Sequence, residues 1–340
     1  MKLTYETVNA IACGQNYITE EDGSFIFHRF NPDEEKYYYE TNEAFYRKAL
    51  CPSNVRLAFK TDATEIFLSV TTKPGPTRTY FSIDVRVDGI DVGYIDNVEG
   101  ADLTGAYTGV KLENGDFSGI IELGDNKDKL VEVILPWSVQ CTLHEISLKN
   151  ATYITPSKRE KLLIAYGDSI TQGYDAIRPS NSYASILGEI LSADVCNKAI
   201  GGEIIAPELA RRAQDASPDY VTVAYGTNDW GKVTSEQFLS NAREFYTALS
   251  EKYPSSHIFA VTPIWRADHD SVRPFGPFRL VAELIGKAVE SLPNVTLIDA
   301  FDFVPQDKSL YADLRLHPND NGFLPYAELL GAAILRTVNP

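Results

Sequence analysis

Hydrophobic and polar positions follow two different rules along this 340-residue chain. Up to about residue 155 they alternate. Val55, Leu57 and Phe59 interleave with Arg56, Ala58 and Lys60, and Phe81, Ile83, Val85 and Val87 interleave with Ser82, Asp84, Arg86 and Asp88. A period of two predicts strands with one face in a core and the other in water. Asp88-Gly89 supplies a turn that tolerates positive φ, and Ile90, Val92 and Tyr94 resume the alternation, which predicts a hairpin. Val131, Val133 and Leu135 repeat the pattern as far as Pro136, and Leu143, Ile146 and Leu148 add a last apolar stretch. The aromatic runs Phe25-Ile26-Phe27 and Tyr37-Tyr38-Tyr39 read as core strands rather than binding surface. Residues 1–155 are therefore expected to form an all-β sandwich or jelly roll.

After Lys158-Arg159-Glu160-Lys161 the pattern becomes continuous. Leu162 to Tyr166 and Ile258 to Val261 are continuous apolar runs, and Val221 to Ala224 and Val295 to Ile298 are comparable runs that each contain one threonine, as strands covered on both faces allow. Helical spacing lies between them. Thr234 and Gln237 predict a capping box ahead of Phe238, Ala242, Phe245 and Leu249, and Leu280, Leu284, Ala288 and Ser291 repeat the spacing before Pro293. Residues 160–340 are expected to be an α/β domain with a parallel sheet between helices, its site just beyond the strands' carboxyl ends.

Composition narrows the function only slightly. The length accommodates two cores, and 44% hydrophobic with 23% charged residues is an ordinary globular balance. A net charge of -16 disfavours nucleic acid and anionic membranes as partners. The first residues lack an apolar leader segment and no 18-residue apolar run occurs, so the expected location is cytoplasmic, away from membranes. Cys13, Cys51, Cys141 and Cys196 are far apart and predict buried thiols rather than a metal cluster.

Four segments at the predicted strand ends carry chemistry. Gly167-Asp168-Ser169-Ile170-Thr171 puts a serine where helix-start amides can support a developing oxyanion, although a plain N-cap serine has the same pattern. Asn197-Lys198-Ala199-Ile200-Gly201-Gly202 offers bare backbone to a ligand or is a flexible loop. Gly226-Thr227-Asn228-Asp229 offers an amide donor or a turn-forming Asn. In Leu316-His317-Pro318-Asn319 the proline biases His317 to an extended backbone, on a loop from which its imidazole can reach across the sheet edge.

In this order the four segments resemble the blocks of the SGNH (GDSL-like) hydrolase family, from about residue 160 to the end. The resemblance implies a flavodoxin-like three-layer domain and a serine esterase that needs no cofactor or metal. In it Ser169 is the nucleophile and His317 the general base. The Ser169 amide, Gly202 and Asn228 are the oxyanion donors, Gly202 being preferred to Gly201 because it lies five positions after Asn197. One position departs from the pattern: the family's aspartate three residues before the histidine is here Leu314. Asp313 completes the triad only if the loop bulges by one residue; otherwise a Ser-His dyad remains. An N-terminal sandwich followed by Gly-Asp-Ser-Ile-Thr-Gln-Gly-Tyr is similar to the two-domain carbohydrate acetyl esterases. That likeness implies an acetylated oligosaccharide or small-molecule ester as substrate, with Trp230 and Trp265 stacking on a sugar ring or packing in the core. A lipid-type esterase or thioesterase on the same site, or an inert glycan-binding protein, are the other readings.

Overall fold

The computed structural model describes residues 1–338. Two antiparallel sheets form the N-terminal half. One runs in the order Tyr17–Glu21, Ser24–His28, Val139–Lys149, Glu65–Pro74, Asp116–Glu122. The other runs Ala12–Cys13, Arg56–Thr61, Lys129–Ile134, Ser82–Val87, Ile90–Asp96, with Ile154–Pro156 also paired to Arg56–Thr61. Phe25, Phe27, Leu68, Val70 and Leu148 from the first sheet meet Leu57, Phe59, Ile83, Val85 and Val133 from the second in one core. The hairpin forms at Asp88-Gly89, both residues having positive φ. A β-bulge between Leu143 and Glu145 explains the uneven spacing in Val139–Lys149. The extra residue returns Ile146 and Leu148 to the core side after Leu143.

Two features differ from the reading of the sequence. Much of the polar face of the second sheet does not meet water, although Lys60 does. Arg56, Glu132, Ser82 and Asp84 on that face are buried because the C-terminal half packs over it. Arg56 pairs with Glu132 at 2.6 Å and with Asp194 across the boundary at 2.5 Å. Asp84 accepts from the Ser180 amide and hydroxyl. The alternation of charge is that of a polar interface, which leaves the same period-two signature as a wet face.

The second difference is helical. Tyr5–Ile11, Pro32–Thr41 and Glu43–Ala49 are helices, so Tyr37, Tyr38 and Tyr39 are not strand residues. Asn31 caps Pro32–Thr41 in a reciprocal box with Glu34, with Pro32 in the first turn. Those local preferences outweigh the strand preference of three tyrosines. Tyr38 is buried against the core of the other half, whereas Tyr39 is exposed.

The C-terminal sheet is parallel, ordered Ala193–Asn197, Lys161–Gly167, Tyr220–Ala224, His257–Val261, Val295–Ile298. In chain order this is 2-1-3-4-5, the flavodoxin-like arrangement, whose switch point lies between Lys161–Gly167 and Tyr220–Ala224. Ile164, Tyr166, Val221 and Val223 face a core shared with the helices Ser235–Lys252 and Leu280–Val289. Leu163, Ala165, Phe259 and Val261 face a second core with Tyr183–Ile190 and Asp320–Val338. Thr234 caps its helix through the Gln237 amide, but only half of the box forms, because the Gln237 side chain donates to Asn241 instead. The helix from Leu280 stops at Val289, short of Ser291. The four cysteines are buried and unpaired.

Candidate active site

The site lies at the switch point. Gly167 ends its strand where a Cβ would meet Thr171 Oγ1 at 2.2 Å and the Ala224 carbonyl oxygen at 3.0 Å, so only glycine fits the turn. Asp168 follows as N-cap and accepts from the Ile170 amide at 3.0 Å. Burial pushes its carboxyl up to about 6. Ser169 is therefore the first residue of a one-turn helix that Gly173 closes with φ of 102°. Its own amide takes no partner among the described residues, as expected for the first turn of a helix.

His317, 148 positions away, places Nε2 2.9 Å from Ser169 Oγ. Its other nitrogen, Nδ1, lies 3.0 Å from Asp313 Oδ2. The one-residue bulge on which Asp313 depended is present. Leu314 takes φ of 56°, and the turn it makes lets Asp313 Oδ1 accept from the amides of Arg315, Leu316 and His317. Burial works to raise the Asp313 carboxyl, but the His317 contact and the amides outweigh it and hold the group well below the usual carboxylate range. The hydrogen bond fixes which imidazole nitrogen faces the serine: Nδ1 donates to Asp313 and Nε2 accepts from Ser169.

A second carboxylate, which the sequence did not single out, faces the same nitrogen. Asp175 Oδ2 is 3.4 Å from His317 Nδ1. Asp175 is fully buried and held from the N-terminal half: Arg78 donates to both its oxygens, Tyr80 to Oδ1 at 2.5 Å, and Tyr107 to its backbone carbonyl at 2.6 Å. The Tyr174 ring stacks on the imidazole at 5.6 Å. Only nearness to the Gly-Asp-Ser block marked Asp175 in the sequence.

The paired glycines have different reasons. A Cβ on Gly201 would meet the Tyr174 ring and hydroxyl at 2.4 Å. Gly202, with φ of 86°, faces open space bounded by Lys48 Nζ at 3.8 Å, Lys232 Nζ at 3.9 Å and Phe45 at 4.0 Å from such an atom. The Gly202 amide takes no partner among the described residues. The loop behind it is pinned by Arg29, also missed in the sequence, which is fully buried and donates to the carbonyls of Asn197 and Ala199, both at 2.8 Å. Asn228 donates one amide hydrogen to the Glu203 carbonyl at 3.0 Å, leaving its second free for a ligand.

Of the two readings open for Trp230 and Trp265, the structure has the core one, so neither is placed to stack on a sugar. Trp230 is 1% exposed, lies under Arg273 and donates to the Gly276 carbonyl; Trp265 is 6% exposed and packs on Tyr311. Neither ring has a free face. An open groove of about 380 Å³ lies beside Gly202 instead, bounded by Tyr37, Asn42, Phe45, Glu203, Pro207 and Asn241.

A 2-1-3-4-5 parallel sheet with serine, glycine, asparagine and histidine gathered at its switch point fits an SGNH-type α/β domain, here joined to a β-rich N-terminal domain. Residues 165–323 match the GDSL-like Lipase/Acylhydrolase family. Three solved structures share the two-domain fold at low identity. A salicylyl-acyltransferase from a tetracycline biosynthetic pathway is 22% identical over 96% of this chain and 95% of its own, with a TM-score of 0.79. A putative GDSL-like lipase from Bacteroides ovatus is 18% identical over 99% and 98%, with a TM-score of 0.75. A family two carbohydrate esterase from Cellvibrio japonicus is 16% identical over 99% and 97%, with a TM-score of 0.66. No curated protein matches the chain in sequence.

Proposed function

We propose that the protein is a serine esterase that removes short acyl groups, acetyl above all, from a carbohydrate through an acyl-enzyme. The observation that carries this reading is the continuous line Ser169 Oγ, His317 Nε2, His317 Nδ1, Asp313 Oδ2, with links of 2.9 and 3.0 Å. Neutral His317 takes the serine proton as Oγ bonds to the ester carbonyl carbon. The carbonyl oxygen becomes an oxyanion and is met by the free amides of Ser169 and Gly202 and the spare N–H of Asn228. Each such donor contributes about 3 kcal/mol in comparable sites. The tetrahedral adduct collapses, the C–O bond to the alcohol breaks, and imidazolium His317 protonates the leaving oxygen. Water then attacks the acyl-serine with His317 again as base, releasing the acid and restoring the serine hydroxyl.

The groove supports a saccharide. Tyr37 and Phe45 line it beside the side-chain amides of Asn42 and Asn241, a mixture of aromatic and amide groups suited to a sugar's apolar face and hydroxyl edge. The same two-domain fold carries a carbohydrate esterase in Cellvibrio japonicus. Ser169→Ala should abolish hydrolysis of 4-nitrophenyl acetate and of acetylated xylo-oligosaccharides while the melting temperature stays near that of the parent. Retained turnover would remove Ser169 as nucleophile. A preference for octanoyl over acetyl esters would replace the saccharide by a lipid-type substrate.

A further inference from the structure

We propose that the substrate carries an anionic group (a carboxylate, phosphate or sulfate) close to the scissile ester, and that Lys48 and Lys232 bind it beside Gly202. The inference rests on the esterase reading and adds the substrate's charge.

The two lysines come from opposite sides of the cleft. Lys48 is on the N-terminal helix Glu43–Ala49, and Lys232 ends the one-turn helix Asp229–Lys232 next to Asn228. Their ammonium groups converge on the open side of Gly202. Each makes one hydrogen bond to backbone, Lys48 to the Gly201 carbonyl at 2.5 Å and Lys232 to the Gly202 carbonyl. An ammonium has three donors, so two remain on each for a ligand.

Neither lysine makes an ion pair among the described residues, in a chain with 47 acidic and 31 basic side chains. The contrast with Lys198, four residues before Gly202, is informative. That lysine is buried and meets Glu34 at 2.6 Å. Two carboxyls of the site are occupied elsewhere: Glu203, next to Gly202, accepts from the Tyr38 and Tyr225 hydroxyls, and Asp168, next to Ser169, caps the serine helix. Burial, reinforced by the neighbouring Lys232 charge, pushes the Lys48 ammonium down from its ordinary value. Two adjacent positive charges repel each other, and an anion placed between them relieves that cost. Because both lie beside an oxyanion donor, the anion they attract belongs to the molecule undergoing reaction.

The test compares matched esters at low salt. O-acetylated galacturonic acid against O-acetylated galactose places the charge on the alcohol side; mono-4-nitrophenyl succinate against 4-nitrophenyl butyrate places it on the acyl side. The anionic member of at least one pair should be preferred by roughly ten- to a hundredfold in kcat/KM, a ratio that shrinks as salt is added. In the double variant Lys48→Met, Lys232→Met the ratio should collapse towards one, and in Lys232→Glu it should invert. A loop disturbance would slow both members alike and leave the ratio standing. Turnover of 4-nitrophenyl acetate with a ratio near one in both pairs, or a ratio unchanged in the variants, would overturn the lysine proposal alone. Absence of turnover with every ester would overturn the esterase reading beneath it.

Discussion

Two aspartates face one imidazole nitrogen, and they are held by opposite halves of the molecule. Asp313 sits in the same loop as His317 and is fixed by three backbone amides of that loop. Asp175 is fixed by Arg78, Tyr80 and Tyr107, all from the N-terminal domain. The difference lies in what balances each charge. Arg78 grips both oxygens of Asp175, whereas no arginine or lysine pairs with Asp313 among the described residues. Asp313 is also the closer of the two, at 3.0 against 3.4 Å. On the proposed mechanism the loop carboxylate is the one left to stabilise imidazolium, and the buried one chiefly ties the sandwich to the rim of the parallel sheet.

Substitution at Asp313 should have the largest effect. Asp313→Asn offers an amide hydrogen where an acceptor is needed and should lower kcat by about three to four orders of magnitude. The mirrored change, Asp175→Asn, should cost only about tenfold, because Asp313 keeps the tautomer. Steady-state kinetics on 4-nitrophenyl acetate checks both, and a reversed order would make Asp175 the orienting group. Arg78→Met sharpens the point on the stability side. It strands a buried carboxylate and should cost about 3–5 kcal/mol in denaturant unfolding. A loss under 1 kcal/mol would mean that the tether is weak.

The smallest effect concerns pH. Burial pushes Glu203 up to about 8 and Asp229 up to about 7. Such groups bind protons more tightly folded than unfolded. Their contribution is therefore complete below the ordinary carboxyl range and is lost progressively from there until the pH has passed 7 to 8. The melting temperature should fall across that window, and Glu203→Gln should flatten part of the fall. An identical slope in the variant would show that Glu203 does not titrate there.

How much of this was legible in the sequence depended on whether the cause was local. Ser169, Gly202, Asn228 and His317 were visible because each ends a buried apolar run or lies in a short block of turn residues. Asp313 was visible as a candidate, but its reach to His317 depended on a non-glycine residue, Leu314, adopting φ of 56°, which no pattern announces. Asp175 was hidden because its partners Arg78 and Tyr80 lie 97 and 95 positions away. The tryptophans stayed undecided for the same reason: position after a strand end says nothing of burial, which Arg273 and Tyr311 decide from remote loops. Tyr37 to Tyr39 were read by strand preference although Asn31-Pro32-Asp33-Glu34 was a helix start in plain view. Likewise, Arg56 and Asp84 alternate as they would on a wet surface, and only the second domain makes them an interface.

Esterase chemistry here requires an activated serine at the switch point. Labelling with a fluorophosphonate probe followed by peptide mapping reads this without knowledge of the substrate. One label per chain on Ser169, formed far more slowly in His317→Ala, is the predicted result. No labelling, or labelling of Ser169 at the same rate without His317, would contradict it.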